Sequence, residues 1–118
     1  MPTSGPVAEQ FAPVAEDNVN GKIVTEARYS YSYTSGTTAG VAVKASPGFI
    51  HSITITSALT TAVITVYDNT AASGPVVFQH TEVTGNLGVA CVILDCVMTT
   101  GIELVIATAN ANVTITYR

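Results

Sequence analysis

From Gly21 onward the chain alternates apolar and polar positions in short runs rich in Val, Ile, Thr and Tyr, separated by clusters of Gly, Ser, Asn and Pro. A two-residue period puts successive side chains on opposite faces of an extended chain, which is the mark of half-buried β-strands. IVTEARYSYSY sets Tyr29, Tyr31 and Tyr33 against Ser30 and Ser32; TSGTTAG after it predicts a loop, and VAVKA a short strand closed by an SPG turn. FIHSITITS places Phe49, His51, Ile53 and Ile55 on one face and Ser52, Thr54 and Thr56 on the other, with Ile50 on the polar side. TAVITVYD stops at Asp68-Asn69, a turn-forming pair. The loop NTAASG then leads to PVVFQH, where Pro75 belongs at a strand start or a sheet edge because it has no N–H to donate.

VACVILDCVM is apolar at nearly every position, so it predicts a strand covered on both faces, by a second sheet or by a neighbouring subunit. Its β-branched content, and the turn residues on either side, argue against a helix. GIELVIATA and NVTITYR are expected as two further strands linked through Asn110, Ala111 and Asn112. The count is about eight strands and no helix. The expected fold is therefore all-β, a single antiparallel β-sandwich with jelly-roll topology favoured over immunoglobulin-like topology. Trp is absent, and Cys91 and Cys96 are close neighbours in sequence, so the core Trp and paired cysteines of an immunoglobulin domain are missing.

Residues 1–20 differ from the rest. Pro2, Gly5, Pro6 and Pro13 interrupt any regular element, and Val7, Phe11, Val14 and Val19 stand as apolar anchors among Ala and acidic residues. This segment is expected to be an extended N-terminal arm tied down by a partner subunit, the alternative being a disordered tail, with residues 21–118 forming the β-sandwich domain.

Composition narrows the function classes. Of 118 residues, 47% are hydrophobic and only 10% charged, with four basic residues against eight acidic ones for a net charge of −4. No Lys/Arg cluster exists to neutralise phosphates, so nucleic acid is not an expected partner. No apolar run approaches a membrane span, and the first residues lack the basic and apolar regions of a secretory signal, so no membrane role is expected. Cys91 and Cys96 are an odd number of positions apart, on opposite faces of one strand, so they cannot bridge and are expected as packed, reduced thiols.

Candidate chemistry is sparse. None of His51, His80, Asp68, Asp95, Glu82, Glu103 or the two thiols falls in a nucleophile, phosphate-loop or metal-ligand motif. The expectation is no catalytic residue, no metal and no cofactor. Asp95 interrupts the most apolar run, so its carboxylate requires a partner, such as a loop N–H, Lys44, Arg28 or another subunit. Tyr29, Tyr31 and Tyr33 project as a face suited to a subunit interface or a ligand platform, and Val92 and Leu94 are further interface candidates. Asn112-Val113-Thr114 matches a glycosylation acceptor by chance.

Two stretches, ITSALTTAVITVYDNTAASGPVVF and GIELVIATANANVTITYR, resemble small β-sandwich structural proteins of tailed bacteriophage virions, in which a strand–VYD–loop–strand unit and a closing hairpin ending in V-T-I-T-Y-R recur. The resemblance covers about residues 50–118 and is similar to that of head decoration, or cement, proteins. It implies a non-enzymatic virion protein, a homotrimer that binds the major capsid protein on the outer capsid surface after synthesis in the bacterial cytoplasm. On this expectation Phe11, Val14 and Val19 contact the capsid or a neighbouring subunit. The alternatives are a host-attachment or carbohydrate-binding module using Tyr29, Tyr31 and Tyr33 or the NTAASG loop, and a tail or fibre component.

Overall fold

The computed structural model of the chain describes residues 16–17, 22–23, 28–83 and 90–118. Among these residues every regular element is a strand: β1 (Glu16–Asp17), β2 (Lys22–Ile23), β3 (Ser30–Lys44), β4 (Gly48–Ala58), β5 (Val63–Tyr67), β6 (Val76–Thr81), β7 (Ala90–Met98) and β8 (Ile102–Tyr117). β1 and β2 pair only with each other, whereas β3 to β8 make one antiparallel sheet that curls on itself. The all-β expectation holds.

β8 is the axis of that sheet. Along one edge it pairs with β3 from Ser30 opposite Tyr117 to Lys44 opposite Ile102. Along the other edge its first half pairs with β5 and its second half with β4. β6 then extends the sheet beyond β5, and β7 extends it beyond β4. The two ends of β8 are brought together. Lys44, opposite Ile102, is followed after three residues by Gly48, and Phe49 exchanges backbone hydrogen bonds of 2.7 and 2.9 Å with Arg118. Straight, a strand of 16 residues would span about 50 Å, so β8 has to fold at its middle.

The cause is a change of phase in the apolar pattern. The buried side chains of β8 are Ile102, Leu104 and Ile106 in its first half, but Ala111, Val113 and Ile115 in its second. A regular strand would turn the second set to the opposite face. The odd step is taken up around Thr108, whose φ is 75°, and both halves then aim at a common core. The neighbours do the same. Ile53 and Ile55 of β4 give way to Ile64 and Val66 of β5 across Thr61, at φ 76°. On β3, Ser32 and Thr34 lie opposite the inward Ile115 and Val113, whereas Val41 and Val43 pack on the core after register shifts beginning at Gly36, φ 92°. Each Ile or Leu buried there contributes about 1.5–3 kcal/mol.

Four expectations change in detail. TSGTTAG is no loop: it lies inside β3 as its bend, because β8 supplies pairing partners through it. GIELVIATA and NVTITYR are one bent strand. The alternation in FIHSITITS fails at Ile50, which is buried, because a bulge at His51 shifts the register against both β7 and β8. VACVILDCVM is not covered on both faces: Val92, Leu94, Cys96 and Met98 point inward, while Cys91, Ile93, Asp95 and Val97 are exposed.

The open end of the curl is held by Asp68. Its carboxylate accepts hydrogen bonds from Thr99 N (3.0 Å), Thr99 Oγ1 (2.9 Å), Thr100 N (2.8 Å) and Gly101 N (3.3 Å), tying the end of β5 to the β7–β8 turn. The Thr99 backbone bond is the main cause that lowers its pKa to about 2.

Thr108 is β-branched and exposed in the left-handed region, a conformation that costs about 1–2 kcal/mol for a side chain with a Cβ. Thr108→Gly is expected to raise unfolding stability by about 0.5 kcal/mol after the entropy of glycine is set against the relief. Chemical denaturation checks it. A loss of stability would show that the threonine side chain holds the bend.

Candidate functional site

The outward face of the first half of β3, the second half of β8, β4 and β7 is laid out in rows. Tyr31, Thr116, Ser52 and Ile93 lie side by side, and Tyr33, Thr114, Thr54 and Cys91 form the next row. The middle of each row is small and hydroxylic: Ser52 Oγ and Thr116 Oγ1 share a hydrogen bond of 2.6 Å, and Thr54 Oγ1 donates to Cys91 Sγ at 3.4 Å. The flanks are large and uncovered. Tyr31 and Tyr33 on β3 are 72% and 56% exposed, and Ile93 and Val97 on β7 are 57% and 71% exposed. The result is a shallow polar trough between an aromatic and an aliphatic ridge.

One end of this face is closed by a ring cluster. Tyr29 stacks on His51 with centroids 4.5 Å apart and lies 6.5 Å from Phe49, while the Arg118 guanidinium sits over Phe49 at 4.9 Å and Tyr29 at 5.4 Å. His51 Nδ1–H donates to Asp95 Oδ1 at 2.5 Å; a carboxylate can only accept, which sets the tautomer. Asp95 reaches the imidazole because its backbone, at φ 47°, belongs to the irregularity opposite His51. The partner that Asp95 requires is therefore His51. The pair orients the ring, and among the described residues no hydroxyl or thiol hydrogen-bonds to the imidazole.

A second feature lies where β3, β8 and the β4–β5 junction turn the corner. A cleft of about 240 Å³ is lined by Ser35, Gly36, Ser57, Leu59, Asn110, Ala111 and Asn112. Ser35 Oγ donates to Asn112 Oδ1 at 2.8 Å, and Asn110 uses its backbone oxygen to accept Leu59 N–H at 3.0 Å. No charged group lines it.

Glu103 is the anomalous titratable residue. It is 6% exposed and its Oε1 has no partner among the described residues, and burial holds its carboxyl above the ordinary range. It lies opposite Ala42 and Tyr67, and a Cβ on Gly40 would collide with its carboxylate. Burial likewise pushes the Cys96 thiol up, with the charges of Asp68 and Asp95 adding to the effect. Cys96 packs on the core while Cys91 is exposed, so the two free thiols face opposite ways. His80 Nε2 is 3.2 Å from Glu82 Oε1. Among the described residues, no three His, Cys, Asp or Glu side chains come together to hold a metal.

The sequence candidates separate. Tyr31 and Tyr33 form the ridge and Tyr29 joins the His51 cluster, whereas Val92 and Leu94 face the interior and the exposed β7 positions are Ile93 and Val97. The NTAASG loop closes on itself through Asn69 Nδ2 to Ser73 O at 2.8 Å. Phe11, Val14 and Val19 lie outside the described residues. The cleft went unread in the sequence; its one signal is Asn110 and Asn112 at alternate positions beside the phase change of β8. No protein-family model, curated protein or solved structure matches the chain.

The two shifted carboxyls act on stability with opposite signs. Asp68, lowered in the fold, stabilises above its ordinary value of 3.8, and this contribution is lost as pH falls towards about 2. Glu103, raised in the fold, destabilises progressively as pH climbs above its ordinary value of 4.5. Maximum stability is therefore expected in mildly acidic solution. Glu103→Gln is expected to remove the decline towards pH 7 and to raise Tm there by about 4 °C or more, as read by thermal unfolding across pH. An unchanged pH slope in that variant would contradict the assignment.

Proposed function

We propose that this chain is a non-enzymatic structural protein of a tailed-phage particle, a capsid decoration protein that assembles as a homotrimer and binds the major capsid protein on the outer surface of the head. The observation that carries the reading is the uncovered face bearing Tyr31, Tyr33, Ile93 and Val97. Large apolar side chains grouped on one flat sheet face are what a protein surface uses when another chain covers it. The low charge of the chain agrees with such burial. The resemblance of residues 50–118 supplies the particle, the trimer and the capsid; the face supplies a contact between copies. Cementing is then mechanical, since apolar area buried across capsomer boundaries has to be re-exposed before the lattice opens.

The pairing order supports the jelly-roll form of the fold within this proposal. Divided at the corner, the strands fall into two groups of four: β3 (first half), β8 (second half), β4 and β7; and β3 (second half), β8 (first half), β5 and β6. That is the neighbour order of a long antiparallel ribbon rolled into two facing sheets. Immunoglobulin-like strand order has no comparable support.

A second reading, a host-attachment module that binds carbohydrate, rests on the exposure of Tyr31 and Tyr33 at alternate positions of β3, a spacing suited to stacking on sugar rings.

Mass spectrometry of purified phage particles is expected to detect the chain. A variant carrying Ile93→Ser and Val97→Ser, folded as judged by circular dichroism, is expected to be incorporated about fivefold less or worse, equivalent to roughly 1 kcal/mol. Particles devoid of the wild-type chain would overturn the proposal. Undiminished incorporation of the variant would remove the β7 ridge as the contact.

A further inference from the structure

The corner cleft has a definite chemical character. Its hydrogen-bonding groups are the side-chain amides of Asn110 and Asn112 and the hydroxyls of Ser35 and Ser57. Only one bond is made among them, from Ser35 to Asn112 Oδ1. That bond turns the Asn112 amide so that its two N–H donors are left unpaired, while the Asn110 side chain and the Ser57 hydroxyl have no partner among the described residues. Donors and acceptors are thus both on offer, and no carboxylate, ammonium or guanidinium stands among them. An anion would find no cation there and a metal ion no carboxylate.

The apolar part of the lining is equally specific. Leu59 is 45% exposed at the rim. Beyond the lining, Tyr33 lies two residues before Ser35 on the same outward face, about 7 Å along the strand, and is largely exposed. A ligand meeting all of these groups needs hydroxyls that both donate and accept around its edge, and a flat C–H face for the Tyr33 ring and Leu59. At about 240 Å³ the cleft takes the place of about eight waters, the size of a single sugar ring.

We propose that this cleft is a binding site for one neutral pyranose ring, held by Asn110, Asn112, Ser35 and Ser57 and stacked against Tyr33. The polar part of the site, Ser35, Ser57, Asn110 and Asn112, does not rest on the virion proposal, whereas the Tyr33 contact competes with it, since a copy covering the Tyr31–Tyr33 face would also cover this ring. It deepens the carbohydrate reading by assigning the hydrogen-bonding groups, and it rests on that reading only through Tyr33. The cleft is a product of the bend: β3, β8 and the β4–β5 junction change phase at one place, and their outward side chains splay apart there.

The test is amide-correlation NMR on the full chain, titrated with D-glucose, D-galactose, D-mannose and N-acetylglucosamine, each to about 50 mM, since a ligand of this size binds with a Kd of about 1 mM or weaker. Saturable shifts are expected at Ser35, Ser57, Asn110 and Asn112, including the side-chain amides, with at least one of the four sugars. Asn112→Ala is expected to weaken that sugar about fivefold or more. Ser57→Ala, which removes a hydroxyl that bonds nothing in the protein, serves as the second variant should Asn112→Ala disturb the fold, and is expected to weaken binding about twofold or more with an otherwise unchanged spectrum. No saturable shift with any of the four sugars overturns the proposal. So does a response confined to Tyr31 and Tyr33, an outcome that leaves the tyrosine-face reading standing, and so does an affinity unchanged in both variants.

Discussion

Everything in this fold depends on one requirement, that β8 keep its apolar side chains on the core while its backbone doubles back. Ile102, Leu104 and Ile106 on one half and Ala111, Val113 and Ile115 on the other can share a core only if a residue is spent between them in an irregular conformation. Thr108 is that residue. Because β3 and the β4–β5 segment are bonded to β8 along both edges, they must bend at the same level. Gly36 permits the bend in β3 with no steric penalty, while Thr61 takes a left-handed conformation in the β4–β5 junction that a β-branched residue adopts only under constraint. The curl is then fastened at its open end, where Asp68 collects four hydrogen bonds from the turn that precedes β8.

The same requirement decides what is left for function. Every inward position of β4, β5 and β8 is committed to packing, so recognition has to use the outward set. On β7 that set is Cys91, Ile93, Asp95 and Val97, and on β3 it includes Tyr31 and Tyr33. Between them lie Ser and Thr side chains that bond to each other and leave the trough shallow. The bulge at His51 has a local consequence as well, since it sets the imidazole beside Asp95 and under Tyr29 and so gives the one acidic residue of β7 a fixed partner.

Much of this was legible in the sequence, and the exceptions have physical reasons. Period-two alternation located the strands between β3 and β8 because it reports directly which side chains leave water. It placed Cys91 and Cys96 on opposite faces, where they lie. It failed at the irregularities. TSGTTAG carries the composition of a loop, yet pairing with a continuous β8 makes it the bend of a strand, and Ile50 is drawn inward by a bulge that no composition announces. Val92 and Leu94 were singled out for the apolar density of their run; the residues left exposed are their neighbours Ile93 and Val97, since density cannot say which face is covered. The cleft is less visible still, because Ser35, Ser57, Asn110 and Asn112 are distant in sequence and meet only after three strands turn together.

The central claim is that the face bearing Tyr31, Tyr33, Ile93 and Val97 is covered by further copies of the chain. Its most direct test is the native molar mass of the full chain in solution, by size-exclusion chromatography with light scattering over a range of concentrations. The account predicts a species of three times the 12.2 kDa chain mass that persists on dilution. A chain that remains at 12.2 kDa at every concentration would contradict it and would leave the face open to a different partner.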